Sequence, residues 1–364
     1  MLCRLFGCVR LVYNEMLALR KLRWVEDGES VGFAHTSRVL TEVKREGLEF
    51  LREVSSVPLQ QCLRQLDQAY RNFFDGRAKY PRFRSRRGVQ SACFTRSGFT
   101  LEGRNLCLAK IGRIKVRWSR ELASFPSSVT IIKDCAGRYF VSCVVEKNEV
   151  PFPCTGLEAG FDLGINSLLV GSDGSEVGNP RFLDSALEKL GASQRVLARR
   201  VKGSGRWGRQ RLVVAKCHAH VADSRRDYSE KLTTGMTRKY DRMFLEDLHP
   251  RGMVRNRRLA RSLSDASLGM ARSMLESKAV RYGKTVGFVD RFFPSSKLCS
   301  ACGLKNDALT LAQREWTCSG CLVTHDRDAN ASRNILAEGR SVAARGGRVR
   351  HTGSLNLCAV PVEA

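Results

Sequence analysis

Apolar residues in the first part of the chain recur at helical spacing. In the run LQQCLRQLDQAYRNFF they lie three or four positions apart, and Pro58 is near the start of the run. The segment MLCRLFGCVRLVYNEML carries Arg4 and Arg10 among its apolar residues and has no small-residue cleavage site, so it predicts an amphipathic helix rather than a signal peptide. The apolar positions of the first run are Leu59, Leu63, Leu66, Tyr70 and Phe73. We therefore expect a helical region over residues 1–90.

The pattern changes to short β-branched and aromatic runs between Ala92 and Glu146. The run VTIIKDCAGRYFVSCVVE has a strand-like segment on each side of a turn from Asp134 to Arg138, which predicts a hairpin. We expect a small β-barrel or sheet over residues 91–150. The segment NEVPFPCTG follows, and its Pro and Gly residues predict a linker.

Strand-like and helix-like segments alternate after the linker. AGFDLGINSLLVGSDGSEV predicts two strands with a turn at 172–175, and a basic, mostly helical region extends over 183–238. YDRMFLEDL and TVGFVD are typical of strands, and SDASLGMARSMLESKAVRYG is typical of a helix closed by Gly283. This alternation predicts an α/β domain with a mixed sheet, which makes the whole chain an α+β multidomain protein.

The charge balance narrows the class of partner. Lys and Arg number 62 and Asp and Glu 36 among the 364 residues, which gives a formal net charge of +26 and a pI near 10.0. Nucleic acid is the leading partner, because basic contacts to phosphate release condensed counterions. A soluble basic protein without such a partner and a protein on anionic membrane are the weaker alternatives. The sequence has no run of about 18 apolar residues that would span a bilayer.

One basic segment carries aromatic residues between its charges. RAKYPRFRSRRG places Tyr80 and Phe83 among arginines, a composition that suits stacking and cationic contacts to nucleic acid, with a solvated loop as the alternative. The candidate nucleic-acid-binding residues in this segment are Arg82, Arg84, Arg86 and Arg87.

Four of the 14 cysteines form two paired C-x-x-C units. Cys299, Cys302, Cys318 and Cys321 follow the spacing C-x2-C-x15-C-x2-C, which is typical of a zinc ribbon. Four thiolates close the tetrahedral coordination of zinc, so the ion would be structural. The spacing disfavours four free thiols or a thioredoxin-like redox site. The other ten cysteines are scattered, which fits a reducing cytoplasm better than a disulfide framework.

Three carboxylates lie at positions where an acidic side chain usually has a specific partner. Asp162 interrupts the apolar strand GFDLGI, Glu246 ends another in RMFLEDL, and Asp328 opens a helix in DANASRNIL. An acid on a buried strand must be paired, protonated or bound to metal. The three could converge on Mg²⁺, and two such ions would stabilise the attacking and leaving oxygens of phosphodiester hydrolysis. Asp247 and Asp326 are local competitors, and a helix cap or a salt bridge is the alternative role for each acid.

Four motifs lie in order along the second half of the chain, namely FDLGINSLLVGSDG, FLEDLHPRGM, RFFPSSKLCSACG and REWTCSGCLVTHDRDANASRNILAEG. Together they resemble the TnpB/OrfB proteins of bacterial insertion sequences, which are similar to the type V CRISPR effector nucleases. The upstream segments FGCVRLVYN, LQQCLRQLDQAYRNFF and YPRFRSRR extend the resemblance over nearly the whole chain.

The resemblance implies a domain plan in which the helical region at residues 1–90 binds nucleic acid. A RuvC-like nuclease domain of the RNase H fold would occupy residues 157–296 and 322–345. A zinc ribbon would be inserted at 297–321, and a tail would follow at 346–364.

The resemblance also implies roles for particular residues. Asp162, Glu246 and Asp328 fall on the family's catalytic, magnesium-binding positions, and Asp328 is favoured over Asp326 because it is the acid nearest the Asn of the motif. The implied partners are a guide RNA from the transposon end and double-stranded target DNA, with base pairing reading the sequence. The arginines that fit a channel for these polyanions are Arg199, Arg200, Arg206, Arg209 and Arg211.

The chain departs from the family pattern at two places. Family members usually carry a strand before the FGCxR helix, so either the start lies upstream or the barrel lacks a strand, which would affect recognition of a target-adjacent motif. Leu322 replaces the glycine that normally follows the last zinc cysteine. A leucine at positive φ is strained, so we expect a slightly reshaped finger.

The sequence therefore predicts a transposon-encoded, RNA-guided and metal-dependent DNA endonuclease. A nuclease-inactive, guide-dependent DNA-binding repressor is one alternative, which the loss of an acid would favour, and all three acids are present. A DNA-strand-transfer transposase is another, because RNase H folds also support that chemistry. The finger lies just before Asp328, so we expect it to brace that segment and expect zinc removal to lower activity indirectly.

Overall fold

The computed structural model describes residues 1–248, 252, 260–310 and 312–344, which divide into two compact units. The first unit comprises residues 1–148 and 203–216, and the second comprises residues 149–202 and those from 217 onward. The described residues form both helices and strands, with a helical stretch followed by a long run of strands, so the α+β class is confirmed. The predicted tail at 346–364 and positions 249–251 and 253 of the FLEDLHPRGM motif lie outside the described residues.

Helices make up most of the first 74 residues, as the apolar spacing predicted. Ser55 caps the third helix, because its side chain accepts a hydrogen bond from the Val57 amide, and Leu59, Leu63 and Leu66 of that helix are fully buried. The helices are α1 (Leu2–Asp27), α2 (Phe33–Val43) and α3 (Ser56–Phe74), with a short 3₁₀ helix at Glu49–Arg52.

Two three-stranded antiparallel sheets follow these helices in the first unit. One has the order β1-β5-β6 and the other β2-β3-β4. The predicted hairpin joins β5 and β6, where Lys133 pairs with Tyr139 and the Asp134 carboxylate accepts a bond of 2.8 Å from the Arg138 amide. Closure of these sheets into a barrel stays a prediction. The strands are β1 (Gln90–Thr95), β2 (Phe99–Glu102), β3 (Asn105–Leu108), β4 (Gly112–Lys115), β5 (Ser128–Lys133) and β6 (Tyr139–Val144).

A five-stranded mixed sheet is the centre of the second unit. Its order is β11-β10-β7-β8-β9, with β10 parallel to both of its neighbours and β7, β8 and β9 antiparallel in succession. This confirms the mixed sheet that the alternation of segments predicted. Its strands are β7 (Glu158–Asp162), β8 (Ser167–Gly171), β9 (Glu176–Gly178), β10 (Arg242–Glu246) and β11 (Thr285–Val289).

The last described helix, α8 (Arg327–Ala344), packs closely against this sheet. A Cβ atom on Gly160 of β7 would lie 2.4 Å from the backbone nitrogen of Leu336 and 2.4 Å from the carbonyl oxygen of Ser332. Glycine at this position therefore permits direct backbone contact between strand and helix. The contact fixes the start of α8 relative to the end of β7.

The other helices of the chain are α4 (Phe182–Ala198), α5 (Gly205–Lys239), α6 (Ala260–Ala266) and α7 (Leu268–Tyr282). The single helix predicted over SDASLGMARSMLESKAVRYG was wrong, because Ser267 has a φ of 53° and separates α6 from α7. The neighbouring Asp265 is buried, accepts bonds from the Leu183 amide and the Arg225 guanidinium, and so holds the end of α6. Gly283 closes α7 as predicted, with a φ of 68°. Among the described residues, no helix is long and apolar enough to cross a bilayer.

Candidate active site and metal centre

Asp162 and Glu246 lie at the ends of neighbouring parallel strands. Phe161 of β7 pairs with Leu245 of β10, and the two acids are the next residue on each strand. The carboxyl ends of adjacent parallel strands lie at one edge of a sheet, which is where open α/β sheets bind ligands. Asp328, the third predicted acid, is in the first turn of α8.

The pKa of Asp162 reports the proximity of the other two acids. Burial raises this pKa, and the negative charges of Glu246 and Asp328 raise it further, to about 7. The positive charge of Arg327 and a backbone hydrogen bond from Leu163 act in the opposite direction without cancelling the effect. The negative charges of Glu246 and Asp328 both act on Asp162, which indicates that the three predicted acids lie in one part of the second unit.

The carboxylate of Asp328 is held by two arginines. Arg314 Nη1 lies 3.0 Å from Asp328 Oδ2, and Arg327 Nη2 lies 3.2 Å from Asp328 Oδ1. The competitor Asp326 has a different role, because its Oδ1 accepts a hydrogen bond of 2.8 Å from the Ala329 amide. Asp326 thus caps the amino terminus of α8, whereas Asp328 is the acid of this segment whose charge acts on Asp162.

The second competitor, Asp247, is also occupied by cations. Arg272 Nη1 lies 2.6 Å from Asp247 Oδ1, and Arg291 Nη2 lies 3.4 Å from Asp247 Oδ2. Glu246 instead accepts a hydrogen bond from the hydroxyl of Ser295. Nothing in the local sequence pattern singled out Ser295, which is 49 positions away from Glu246.

The four cysteines converge as the spacing predicted. Their Sγ atoms all lie within 4.8 Å of one another. The Cys299–Cys321 sulfur distance is 3.5 Å and the Cys302–Cys318 distance is 3.6 Å. Tetrahedral zinc with Zn–S bonds of about 2.3 Å requires sulfur separations of about 3.8 Å, so the donor set and its size fit a zinc ion.

Both C-x-x-C units form the same turn. The Gly303 amide donates to the Cys299 carbonyl at 2.8 Å, and the Leu322 amide donates to the Cys318 carbonyl at 2.9 Å. The φ angles of Gly303 and Leu322 are 78° and 61°. The left-handed turn is therefore kept despite the leucine, and the predicted reshaping of the finger was wrong at this point. The finger also contains the hairpin β12 (Glu315–Thr317) and β13 (Thr324–Asp326).

Sequence reasoning missed a histidine beside the cysteines. His325 is 3% exposed, and its Nε2 lies 3.1 Å from Cys299 Sγ. Burial, followed by the charge of Arg333, lowers the pKa of His325. A neutral imidazole can donate Nε2–H to a thiolate, so His325 supports Cys299 from outside the tetrahedron. The four-cysteine spacing was complete by itself and gave no signal for it.

Two asparagines of α8 bind the segment that leads into this finger. Asn330 Nδ2 donates to the Leu298 carbonyl at 2.6 Å, and its Oδ1 accepts from the Ser300 amide at 2.8 Å. Asn334 Nδ2 donates to the carbonyls of Ser295 and Leu298, each at 2.7 Å. The segment before and around Cys299 is thus fixed to the helix that carries Asp328.

Comparison with known proteins decides the family. Residues 1–29 match a family model described as "Helix-turn-helix domain", residues 141–257 one described as "Probable transposase" of the OrfB type, and residues 269–335 one described as "Cas12f1-like, TNB domain". A Streptomyces pristinaespiralis protein named "Putative RNA-guided DNA endonuclease" is 45% identical over 354 residues, which cover 96% of this chain and 88% of the relative. The chain belongs to the TnpB/OrfB family.

Two further likenesses place this TnpB/OrfB protein among its relatives. An Escherichia coli K12 protein, also named as a putative RNA-guided DNA endonuclease, is 31% identical over 366 residues, covering 95% of this chain and 90% of the relative. A solved structure described as "Cryo-EM structure of the Cas12f1-sgRNA-target DNA complex" matches with a TM-score of 0.54, covering 92% of this chain and 81% of that one. Its sequence identity is 14%, so this match shows a shared fold alone.

The arginines predicted to bind nucleic acid in this TnpB/OrfB chain differ in their exposure to solvent. Arg82, Arg86 and Arg87 are exposed, whereas the Arg84 guanidinium lies 3.8 Å from the centre of the Tyr13 ring. Arg199 and Arg200 belong to the second unit. In the first unit, Arg206 and Arg209 are exposed and Arg211 is half-buried. Their binding to nucleic acid stays a prediction.

Proposed function

We propose that this chain is a transposon-encoded, RNA-guided DNA endonuclease that hydrolyses phosphodiester bonds at Asp162, Glu246 and Asp328. The observation that carries the proposal is the position of Asp162 and Glu246 at the ends of adjacent parallel strands, with the charge of Asp328 also acting on Asp162. The full-length relatives named as RNA-guided DNA endonucleases support the same activity. The sheet with α8 would be a RuvC-like domain over residues 157–296 and 322–345, with the ribbon at 297–321 inserted in it.

The three acids suit a catalytic divalent cation, and the four cysteines suit a structural zinc ion. Carboxylate oxygens are the ligands that Mg²⁺ prefers. Repulsion among the acids raises the pKa of Asp162, and a cation held by Asp162, Glu246 and Asp328 would remove that repulsion. When bound, Mg²⁺ would make water a better nucleophile and offset charge on the phosphate.

The residues of the chain contribute position and charge. The ends of β7 and β10 hold Asp162 and Glu246 on rigid strands, and the first turn of α8 holds Asp328. Rigid placement of reacting groups lowers the entropic part of the barrier. Exposed arginines such as Arg82 and Arg206 would bind a guide RNA and double-stranded target DNA through phosphates, while base pairing with the guide selects the sequence.

The test uses the protein purified with co-expressed RNA from the transposon end. We expect a specific bound RNA and Mg²⁺-dependent cleavage of a matching plasmid, with cleavage lost in Asp162→Ala. Specific RNA without cleavage by either protein would overturn the enzyme proposal in favour of a guide-dependent repressor. Absence of any bound RNA would count against both, and joining of DNA ends instead of hydrolysis would indicate a strand-transfer transposase.

A further inference from the structure

Ser295 connects the candidate active site to the loop that leads into the finger. Its hydroxyl donates a hydrogen bond to Oε1 of Glu246, and the residue is 5% exposed. Strand β11 pairs with β10 as far as the pair Val289 and Glu246, so the loop after β11 begins beside the acid. The hydroxyl is thus delivered to Glu246 from a neighbouring strand connection.

The backbone that carries this hydroxyl is fixed by α8. Asn334 Nδ2 donates to the carbonyl oxygens of Ser295 and Leu298, each at 2.7 Å. Asn330 Nδ2 also donates to Leu298 O, at 2.6 Å. Asn330 is 0% exposed and Asn334 is 7% exposed, so water competes little for these bonds. The position of the Ser295 hydroxyl is therefore set by the helix that carries the third acid.

Glu246 and Asp328 differ in the kind of hydrogen-bond donor that holds each carboxylate. Asp328 is held by the guanidinium groups of Arg314 and Arg327, which neutralise its charge as well as orient it. Ser295 gives Glu246 a neutral donor. A hydroxyl restricts the rotation of the carboxylate while leaving its negative charge available to a cation.

We infer that Ser295 is a positioning residue for Glu246, which fixes one carboxylate oxygen so that the acid meets a divalent cation in one orientation. This inference rests on the proposed function, since it gives Glu246 the role of a ligand. Hydrogen-bonded partners that orient metal ligands typically contribute 10- to 100-fold in metal affinity or activity. Ser295 is therefore a determinant of metal affinity that does not touch the metal.

The test compares Ser295→Ala with wild type, Ser295→Thr and the adjacent Ser296→Ala, all zinc-loaded and bound to guide RNA. Mn²⁺ binding is measured directly by electron paramagnetic resonance, and cleavage is measured against Mg²⁺ concentration at saturating target DNA. We expect Ser295→Ala to weaken Mn²⁺ binding about tenfold and to raise the half-saturating Mg²⁺ concentration by a similar factor. We expect Ser296→Ala to match wild type and Ser295→Thr, which keeps the hydroxyl, to recover most of the affinity.

A merely structural role would change thermal stability and DNA affinity without changing the metal titration. Mn²⁺ affinity of folded Ser295→Ala within twofold of wild type would overturn the inference. If the alanine variant does not fold, Ser295→Cys keeps nearly the same volume with a weaker donor, and an affinity between twofold and tenfold below wild type supports the inference while an unchanged one overturns it.

Failure of the proposed function gives a different result. In that case wild type and Asp162→Ala bind Mn²⁺ equally and neither cleaves DNA, and the inference falls with the function. If wild type binds Mn²⁺ through Asp162 and cleaves DNA while Ser295→Ala behaves identically, only the role of Ser295 is lost.

Discussion

Gly303 and Leu322 occupy equivalent positions in the two cysteine turns of the finger, and both have positive φ angles, 78° and 61°. Each residue follows the second cysteine of a C-x-x-C unit and donates its amide to the carbonyl of the first. Glycine adopts this conformation without penalty, whereas an L side chain costs about 1–2 kcal/mol. The two turns therefore differ in backbone strain while sharing one geometry.

We expect Leu322→Gly to stabilise the zinc-loaded protein by about 1 kcal/mol. The leucine side chain is 77% exposed, so little packing is lost with it. Thermal unfolding and competition for zinc with a chelator measure the change. Gly303→Leu is the matched control, since a Cβ at Gly303 meets nothing within 4 Å and the substitution isolates the backbone cost. A stability loss in Leu322→Gly, or no loss in Gly303→Leu, would contradict the strain argument.

The parts of the site that sequence could predict are those with a local signal. Asp162 and Glu246 interrupt or end apolar strands, and the cysteines carry their spacing with them. Ser295 could not be predicted, because a loop serine has no pattern and its partner is 49 positions away. The helix break at Ser267 was missed for the same reason, since Asp265 is held by Arg225, 40 positions earlier in the chain.

Asp162 predicts how the metal-free protein responds to pH. The pKa of this acid is about 7 in the folded protein, against an ordinary value of 3.8. Between these values the folded state holds a proton that the unfolded state has lost. Raising the pH from about 4 to about 7 therefore lowers the free energy of unfolding. The loss is complete above about pH 7 and absent below about pH 4.

The measurement compares thermal unfolding of wild type and Asp162→Asn across pH 4 to 8 in chelator that leaves zinc bound. We expect Asp162→Asn to gain about 5 °C relative to wild type as the pH rises to 8, because asparagine carries no charge at any pH. Other acids, including Asp173 and Asp241 with lowered pKa values, contribute equally to both curves. Parallel curves would contradict the raised pKa.

Substitution of Asp326 should affect stability, whereas substitution of Asp328 should affect the cleavage rate. Asp326 caps α8 through the Ala329 amide, and asparagine can make the same bond, so Asp326→Asn should leave cleavage near the wild-type rate. Asp326→Ala should lower stability by about 1 kcal/mol. Asp328→Asn should lower the cleavage rate by about 100-fold or more, with guide RNA still bound. The reverse order of effects, measured by single-turnover cleavage, would exchange the roles of the two acids.

Arg82 and Arg84 are two positions apart and should respond differently to alanine. Arg84 stacks on Tyr13 and its Nη2 donates to Gln65 Oε1 at 3.0 Å, so Arg84→Ala should lower stability by about 1–2 kcal/mol. Arg82 is exposed, and Arg82→Ala should weaken RNA binding and reduce the salt slope by about one. Unfolding curves and RNA binding at several salt concentrations measure both. A stability loss in Arg82→Ala alone would contradict this division.

Zinc removal should lower the cleavage rate without releasing the guide RNA. The carbonyl of Leu298 and the amide of Ser300, on either side of Cys299, are bonded to Asn330 in the helix that carries Asp328. Without zinc the four cysteines no longer hold the finger closed. The Leu298 carbonyl and the Ser300 amide are then no longer fixed in position to bond Asn330. Cys302→Ser removes an exposed ligand and leaves the packing of the finger nearly unchanged. Cys135→Ser, at an exposed cysteine of the first unit, is the control.

The expected result is a loss of cleavage of about tenfold or more in Cys302→Ser and in chelated wild type, with recovery of the latter when zinc is added back. Retained guide RNA would show that the loss of zinc has not unfolded the residues that bind the RNA. Mg²⁺ prefers oxygen ligands and cannot replace zinc among four sulfur atoms, so excess Mg²⁺ should not rebuild the finger in either sample. Wild-type cleavage by zinc-free protein would mean that the asparagine contacts alone hold Asp328 in place, and that the finger serves some other part of the reaction.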